Sequence, residues 1–310
     1  MLCDPERVSG VLSGSIQSLL GSSFHKEIRP YIRKEIKIVK RVFALYILGI
    51  VAVGLAIWQP AFGWLSPTLY TFVFPVCAIW FWRSEGRTLQ DLGLRRGKFW
   101  RQSLSWGLLL GLVLPVMIML VQVLCGWVVL TPHTLAYGDL PAYIIVPGYI
   151  AFVLVKMLFI VAIEEFVFRG YFLQRLTLGI GVGWAVLFSS VLWAIGHLFS
   201  MVSEGLSPFS IAMGMLTFVT WGIALSIGCL RTGKSLWFPF GLHYGLNISF
   251  NLPGVFFVTS YLAPQWWVGN PAWVPESGVL GPLVWLVAIG IVWKITSARF
   301  GQKSDASLDA

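Results

Sequence analysis

The feature that most constrains the fold of this chain is a series of apolar blocks, each long enough to cross a lipid bilayer. A helix needs about 20 apolar residues to cross the hydrocarbon core. Charged residues make up only 11% of the sequence, against about 25% in a typical soluble domain. The blocks are 42–58, 63–82, 103–128, 142–168, 182–202, 208–229, 236–257 and 279–294. The sequence therefore predicts an all-α, polytopic transmembrane helix bundle of about eight spans.

The distribution of Lys and Arg predicts the orientation of these spans. Eight of the 22 basic residues lie in the N-terminal tail and six lie in the loop 83–102, whereas the loops on the opposite side contain none. Basic residues are enriched on the cytoplasmic side of a membrane, so both termini are expected to be cytoplasmic. The net charge of +9 then follows from topology. No nucleic-acid partner is expected, because no recognition motif accompanies the basic residues.

Two adjacent glutamates and two histidines lie inside the apolar blocks. Glu164 and Glu165 occur in "VAIEEFVFRG", His197 in "WAIGHLFS", and His243 in "GLHYGLN", where Asn247 follows one helical turn later. Ionisable residues within a span usually face the bundle interior or an aqueous cavity, and they mark function. A single such histidine is more often a hydrogen-bonded core residue. Because three spans each supply polar groups of this kind, a shared site is favoured.

A glycine-rich turn predicts that two of these spans form a hairpin. The segment "GIGVGW" should break the helix near Gly181. Glu164 and His197 lie about 16 residues on either side of the turn, so both are expected roughly 24 Å from it. His243 belongs to the same half of the bundle, because it follows a cytoplasmic turn near Gly233. The three groups can meet if the hairpin projects somewhat beyond the bilayer.

Helical spacing distinguishes the two glutamates. Glu165 and Arg169 are four residues apart and are placed to form an ion pair, whereas Glu164 and Arg169 are five apart and point in different directions. A carboxylate without a partner in apolar surroundings is suited to act as a general base. We therefore expect Glu164 to be the reactive residue, and Glu165 with Arg169 to be structural support.

Three short motifs resemble those of the CPBP intramembrane proteases, the family of the CAAX prenyl endopeptidases and of the Abi and bacteriocin-processing proteins. "EEFVFRG" is similar to the first motif, EExxxR, and "HYGLN" to the third, a His followed four residues later by Asn. "WAIGH" resembles the second motif, FxxxH, with Trp193 in place of the usual Phe. The upstream "DLGLRRG" (91–97) is similar to a segment that often precedes the family core. Three motifs in order on successive spans form a specific pattern.

The resemblance implies endoproteolysis of a membrane-associated protein or peptide within the lipid bilayer, near the cytoplasmic face. By similarity, Glu164 and His197 activate a water molecule, while His243 and Asn247 stabilise the oxyanion. The use of a metal stays open. Glu164, His197 and His243 could hold a divalent ion such as zinc, or the glutamate could act without one. No further cofactor is implied. The expected location is the plasma (inner) membrane of a bacterium, as an integral multi-pass protein.

The alternative is a non-catalytic membrane scaffold or small-solute carrier, in which the same polar residues form a packing network or a permeation path. Other intramembrane protease classes fit less well, because HExxH, GxSG and an aspartate inside a span are all absent from the sequence. The expected regions are the basic cytoplasmic tail 1–41, the first three spans 42–139, the CPBP-like catalytic core 140–257, and the last span with a cytoplasmic tail, 258–310.

Overall fold

The computed structural model describes residues 22–132, 142–270 and 277–300, with most side chains from Val39 onward. Predictions that concern 1–21, 133–141, 271–276 and 301–310, including parts of both tails, lie outside the described residues. The α-helices are α1 Ser22–Trp58, α2 Leu65–Thr68, α3 Phe74–Ser84, α4 Trp100–Leu124, α5 Ala142–Glu165, α6 Gln174–Ile180, α7 Val182–Ser203, α8 Pro208–Arg231, α9 Trp237–Asn251, α10 Gln265–Val268 and α11 Leu280–Phe300. Short 3₁₀ turns occupy Pro60–Phe62, Leu89–Leu92 and Pro253–Val255.

Within the described part of the chain, six helices are long and apolar enough to cross a membrane. They are Val39–Trp58, Trp100–Leu124, Ile145–Ile180, Val182–Ser203, Pro208–Arg231 and Leu280–Phe300. The predicted all-α membrane bundle is confirmed, and the chain is an integral multi-pass membrane protein. The predicted span 63–82 corresponds to the continuous helical run 65–84, which passes through the π-helical segment Leu69–Val73, and the predicted span 236–257 contains the 15-residue helix α9. Neither is among these six helices. The number of eight spans therefore stays a prediction.

A small antiparallel sheet joins two of the connecting segments. Strand β1 (Val128–Pro132) follows α4, and strand β2 (Phe257–Tyr261) follows α9. Val128 pairs with Tyr261 and Pro132 with Phe257. The predicted spans 103–128 and 236–257 therefore end earlier than expected, and the strands tie together the ends of the two helices that precede them.

Helices α4 and α9 pack closely because glycines face each other along their contact. A Cβ atom on Gly107 would lie 2.2 Å from the carbonyl oxygen of Phe238, and one on Gly111 would lie 2.2 Å from that of Leu242. On the opposite helix, Gly245 is equally confined by α4 backbone. Glycines spaced by four residues allow membrane helices to approach at backbone distance. This packing fixes the position of α9, which carries His243.

The hairpin predicted around Gly181 is present. Helix α5 continues through the π-helical segment Phe166–Leu173 into α6, so that 142–180 is one unbroken helical run. The run ends at Gly181, whose φ of 80° is readily adopted only by glycine, and α7 begins at the next residue. Helix α7 then returns antiparallel and packs on α8, where Gly222 lies against Ser190.

Candidate active site

The side chains of Glu164 and Trp193 meet across the hairpin. Glu164 is at the end of α5 and Trp193 is in the middle of α7, one turn before His197. The indole N–H of Trp193 donates a hydrogen bond of 2.6 Å to Glu164 Oε2. Trp193 is buried, whereas the Glu164 side chain is 24% exposed. The predicted convergence of the two helices at this depth is therefore correct, but the direct contact is made by Trp193.

Glu165 forms the buried centre of an ionic network. Arg169 Nη1 donates to Glu165 Oε1 at 3.0 Å, so the ion pair predicted from the four-residue spacing is present. His243 Nδ1 lies 2.7 Å from the same oxygen. The side chains of all three residues are at most 2% exposed. A carboxylate can only accept here, so the contact is satisfied when His243 Nδ1 carries the proton.

His243 lies between the two glutamates. While Nδ1 faces Glu165, Nε2 lies 3.7 Å from Glu164 Oε2, too far for a hydrogen bond but close enough for a charge interaction. The sequence predicted the pair Glu165–Arg169 and a role for His243, but it did not predict that Glu165 orients His243. A histidine whose Nδ1 is fixed by a carboxylate presents its Nε2 in a defined direction.

His197 packs beside this network with a defined tautomer. Its Nδ1 lies 3.0 Å from the backbone carbonyl of Trp193, and its ring stacks on Phe218 at a centroid distance of 4.1 Å. Because a carbonyl only accepts hydrogen bonds, Nδ1 must be the protonated nitrogen, and in the neutral ring Nε2 retains its lone pair. His197 is half-buried, so this lone pair can serve as a proton acceptor for a bound water.

Asn247 lies one turn after His243 on α9 and is half-buried. Its backbone carbonyl accepts a hydrogen bond of 2.7 Å from Asn251 Nδ2, while no hydrogen bond joins its side-chain amide to another described residue. The structure therefore brings Glu164, Glu165, Arg169 and His243 into direct contact, and it places His197 and Asn247 at the edges of that group. The free amide of Asn247 is available to a ligand.

The residues proposed for a metal do not form a ligand set in this structure. Among the described residues, no three His, Cys, Asp or Glu side chains are placed to hold a metal ion together. The Nδ1 of His243 is engaged by Glu165, so only its Nε2, 3.7 Å from Glu164 Oε2, is open to another partner.

The backbone beside the glutamates is π-helical. The segment Phe166–Leu173 starts immediately after Glu165, and its side chains from Val167 onward are buried. Single π turns within α-helices often accompany functional sites, because they change the direction in which side chains project. Here the π segment places Arg169 in the core, where Nη2 donates to the Gly222 carbonyl at 3.4 Å.

An apolar cavity of about 420 Å³ reaches the site from the side of Glu165. Nine of its ten lining residues are uncharged. They come from α3, α5, the π-helical segment, the loop before α4, and α9 with the turn before it: Pro75, Ile79, Leu94, Ala162, Ile163, Phe166, Leu236, Trp237 and Phe240. Its volume falls within the range of small-molecule binding pockets. The cavity offers space for apolar groups next to the ionic network.

Comparison with known proteins gives a family for this region. Residues 146–249, about a third of the chain, match the family model described as "Rce1-like: Type II CAAX prenyl endopeptidase Rce1-like". The matched segment contains Glu164, His197, His243 and Asn247, so the resemblance stated from the motifs is confirmed. Neither the comparison with curated proteins nor the one with solved structures gave a match.

Trp193 is the residue of the matched region 146–249 whose contact sequence reasoning missed. It stands in place of the Phe of the second motif, and its indole N–H contacts Glu164. Its ring lies 4.7 Å from the Arg169 guanidinium and packs edge-on against His243 with centroids 5.4 Å apart. A Phe could supply the ring but not the donor. The signal was the presence of a hydrogen-bond donor one turn before a histidine and opposite an unpaired carboxylate.

Proposed function

We propose that this protein is an intramembrane endopeptidase that hydrolyses a peptide bond of a membrane-associated protein or peptide, with Glu164 as general base. The observation that supports it best is the difference between the two glutamates. Glu165 is engaged by Arg169 and His243 and is 1% exposed, whereas Glu164 is 24% exposed and accepts a hydrogen bond only from the Trp193 indole among the described residues. Only Glu164 therefore has a surface on which a water and a substrate carbonyl can approach.

In the proposed reaction, Glu164 and His197 hold the attacking water. The carboxylate of Glu164 accepts a proton as the water oxygen forms a bond to the scissile carbonyl carbon. His197 Nε2 accepts a hydrogen bond from the same water, because its Nδ1 proton is directed to the Trp193 carbonyl. Collapse of the tetrahedral intermediate then breaks the carbon–nitrogen bond, and the proton held by Glu164 passes to the leaving amine.

The negative charge that develops on the carbonyl oxygen requires hydrogen-bond donors. The side-chain amide of Asn247 supplies one donor. His243 supplies a second from Nε2 when both ring nitrogens are protonated, with Glu165 accepting from Nδ1. Donors fixed in a water-poor site stabilise such an oxyanion more than they would in water. The apolar cavity beside Glu165 has space for apolar groups of a membrane-associated substrate.

The experiment compares new protein termini produced by the purified chain and its variants. Wild type and Glu164→Gln, reconstituted in lipid nanodiscs at matched folded amounts, are incubated with solubilised membrane proteins, and released N-termini are identified by mass spectrometry. We expect Glu164→Gln to lower the cleavage rate about 10²–10⁴-fold and His197→Ala to be similarly severe. Asn247→Ala should cost about 10²–10³-fold as a single oxyanion donor.

The matched control is Glu204→Gln, which removes one carboxylate immediately after α7, roughly 10 Å along the helix axis from His197. It should cleave as wild type does. Cleavage by Glu164→Gln within tenfold of wild type would refute the assignment of the base. If wild type releases no termini, the scaffold or carrier alternative is favoured instead.

A further inference from the structure

A polar cleft of about 630 Å³ lies at one end of the bundle, apart from the candidate active site. We call this end the basic end; it is where α4 and α9 begin and where α8 and α11 finish. The cleft is formed by the loop before α4, the turn between α8 and α9, Gln174 of α6 and Phe300 of α11. Its volume is sufficient for a small charged ligand.

Cationic side chains dominate the lining of this cleft. Arg95, Lys98, Arg231 and Lys234 line it, and Asp91 is its one acidic lining residue. The Asp91 carboxylate accepts hydrogen bonds of 2.8 Å from the backbone N–H and the hydroxyl of Thr88, and these bonds lower the pKa of Asp91. Asp91 thus stays ionised but is turned toward Thr88. Four like charges in one concavity repel each other unless an anion joins them.

The cationic side chains of the cleft differ in how firmly they are held: Arg231 is fixed by neighbouring side chains, whereas Arg95 and Lys234 are free to adjust to a ligand. The Arg231 guanidinium lies 4.0 Å from the Trp293 ring, donates from Nε to Thr296 Oγ1 at 3.1 Å and also donates to Ser297. By contrast, the Arg95 guanidinium and the Lys234 ammonium make no hydrogen bond or ion pair with a described residue, and both residues are exposed. Their donors are available to a ligand.

Lys234 has an unusual backbone conformation. Its φ of 60° is the one positive value among non-glycine residues in the described part of the chain. A residue with a Cβ in this region is strained by roughly 1–2 kcal/mol. The turn is held by the docked loop, since Leu236 N–H donates to the Gly93 carbonyl at 3.0 Å. Strain maintained by surrounding structure often marks a functional position, and here it places a lysine on the cleft wall.

We propose that this cleft binds a phosphate-bearing anion, supplied by the headgroup of an anionic membrane lipid. Basic pockets between helices at a membrane surface are suited to such headgroups, because each cation near the surface contributes about 1 kcal/mol. Trp100 and Phe99 also line the cleft, and aromatic residues favour the depth of lipid headgroups. Free inorganic phosphate carries the same chemistry, and the experiment separates the two sources.

The test measures lipid binding to the purified full chain in neutral detergent by native mass spectrometry. The probes are phosphatidylglycerol, zwitterionic phosphatidylcholine as baseline, and inorganic phosphate added as competitor. We expect wild type to prefer phosphatidylglycerol. Arg95→Gln combined with Lys234→Gln should weaken that binding about 25-fold, that is about fivefold for each cation removed. The matched control is Lys40→Gln with Arg83→Gln, which removes two exposed cations at the same end but outside the cleft; it should bind within twofold of wild type.

The outcomes divide as follows. The cleft variant is the one that combines Arg95→Gln with Lys234→Gln. If millimolar inorganic phosphate displaces the lipid from wild type but not from the cleft variant, the cleft is an anion site whose ligand is the soluble anion. Equal phosphatidylglycerol affinity in wild type and cleft variant would overturn the proposal. If the double variant does not fold, Lys234→Gly tests the proposal instead. Glycine relieves the backbone strain at φ 60° and also removes the charge. This variant should melt no earlier than wild type without lipid and bind about fivefold less tightly, and unchanged binding would overturn the proposal.

Discussion

At the scale of single residues, the two adjacent glutamates of the site have different partners and different exposure. Four-residue spacing pairs Glu165 with Arg169, as the sequence predicts, and the structure adds His243 to the same carboxylate oxygen. Glu164 is left to contact the indole of Trp193 and to face the partly open side of the site. Neighbouring side chains of one type therefore meet very different surroundings.

Removal of the Arg169 side chain should destabilise the fold rather than only slow the chemistry. Arg169→Ala leaves the Glu165 carboxylate buried without its cation, which costs roughly 3–5 kcal/mol. We expect a lower yield of folded protein and earlier thermal unfolding in detergent. Adding Glu165→Gln should recover part of the loss, because the stranded charge is then gone. Equal folding yield for wild type and Arg169→Ala would contradict this assignment.

Replacement of Trp193 by Phe should distinguish two roles of this side chain: positioning Glu164 through the indole hydrogen bond, and packing through the ring. The ring is retained, but the hydrogen bond to a charged group, worth about 1.5–3 kcal/mol, is lost. We expect kcat to fall about 10–100-fold with little change in KM, measured on the most efficiently cleaved peptide from the terminus experiment.

The control is Trp221→Phe. Trp221 is also buried and packs edge-on against Trp193, but its indole N–H has no hydrogen-bond partner among the described residues. It should retain kcat within about threefold. A similar loss in both variants would show that Trp193 acts only through packing.

At the scale of helices, two features bring the functional groups together. The run 142–180 spans roughly 58 Å at 1.5 Å per residue, longer than the hydrocarbon core of about 30 Å, so it is long enough for the predicted projection of the hairpin beyond the bilayer. The glycine contact between α4 and α9 then sets the distance between His243 and the glutamates of α5.

A side chain in the α4–α9 contact should displace α9. Gly111→Ala places a Cβ atom 2.2 Å from the Leu242 carbonyl oxygen, so the helices must separate. Overpacking of this kind costs about 1–3 kcal/mol, and we expect a lower melting temperature together with reduced cleavage, because His243 moves with α9. Gly290→Ala is the control: this glycine is in α11, is exposed, and would have nothing within 4 Å of its new Cβ atom. Equal melting temperatures for the two variants would refute the role of this contact.

At the scale of the whole molecule, the charge distribution is the basis of the predicted orientation, which stays a prediction. Described basic residues concentrate at the end where α4 and α9 begin, and the opposite connection between α7 and α8 carries Glu204. The loop 83–102 forms part of the cleft at that basic end. The same charges can therefore serve both to orient the protein and to bind an anion.

The orientation is tested by cysteine labelling. In a background lacking the four native cysteines, single cysteines at positions 90 and 270 should react with a membrane-impermeant reagent from opposite sides of the membrane. Position 90 should be the cytoplasmic one, because Lys and Arg flank it. Labelling of both from the same side would refute the eight-span arrangement.

The sequence by itself determined the membrane class, the hairpin break within the glycine-rich segment 179–184, the Glu165–Arg169 pair and the family motifs. These features depend on local composition and on the fixed repeat of a helix. The span ends predicted from the sequence were less accurate, because strands β1 and β2 and the short helix α9 depend on partners far along the chain. The facing glycines of α4 and α9 were visible as four-residue repeats, but nothing local says which helices meet.

Only the tertiary structure decided which groups touch. Trp193 reaches Glu164 across 29 residues of chain, and His243 reaches Glu165 across 78. Likewise, the anion cleft combines a loop, a turn and the ends of distant helices. Hydrogen bonds and charge interactions act over a few ångströms, so their partners depend on how helices pack together. A linear sequence records the donors and acceptors, whereas the packed bundle selects the pairs.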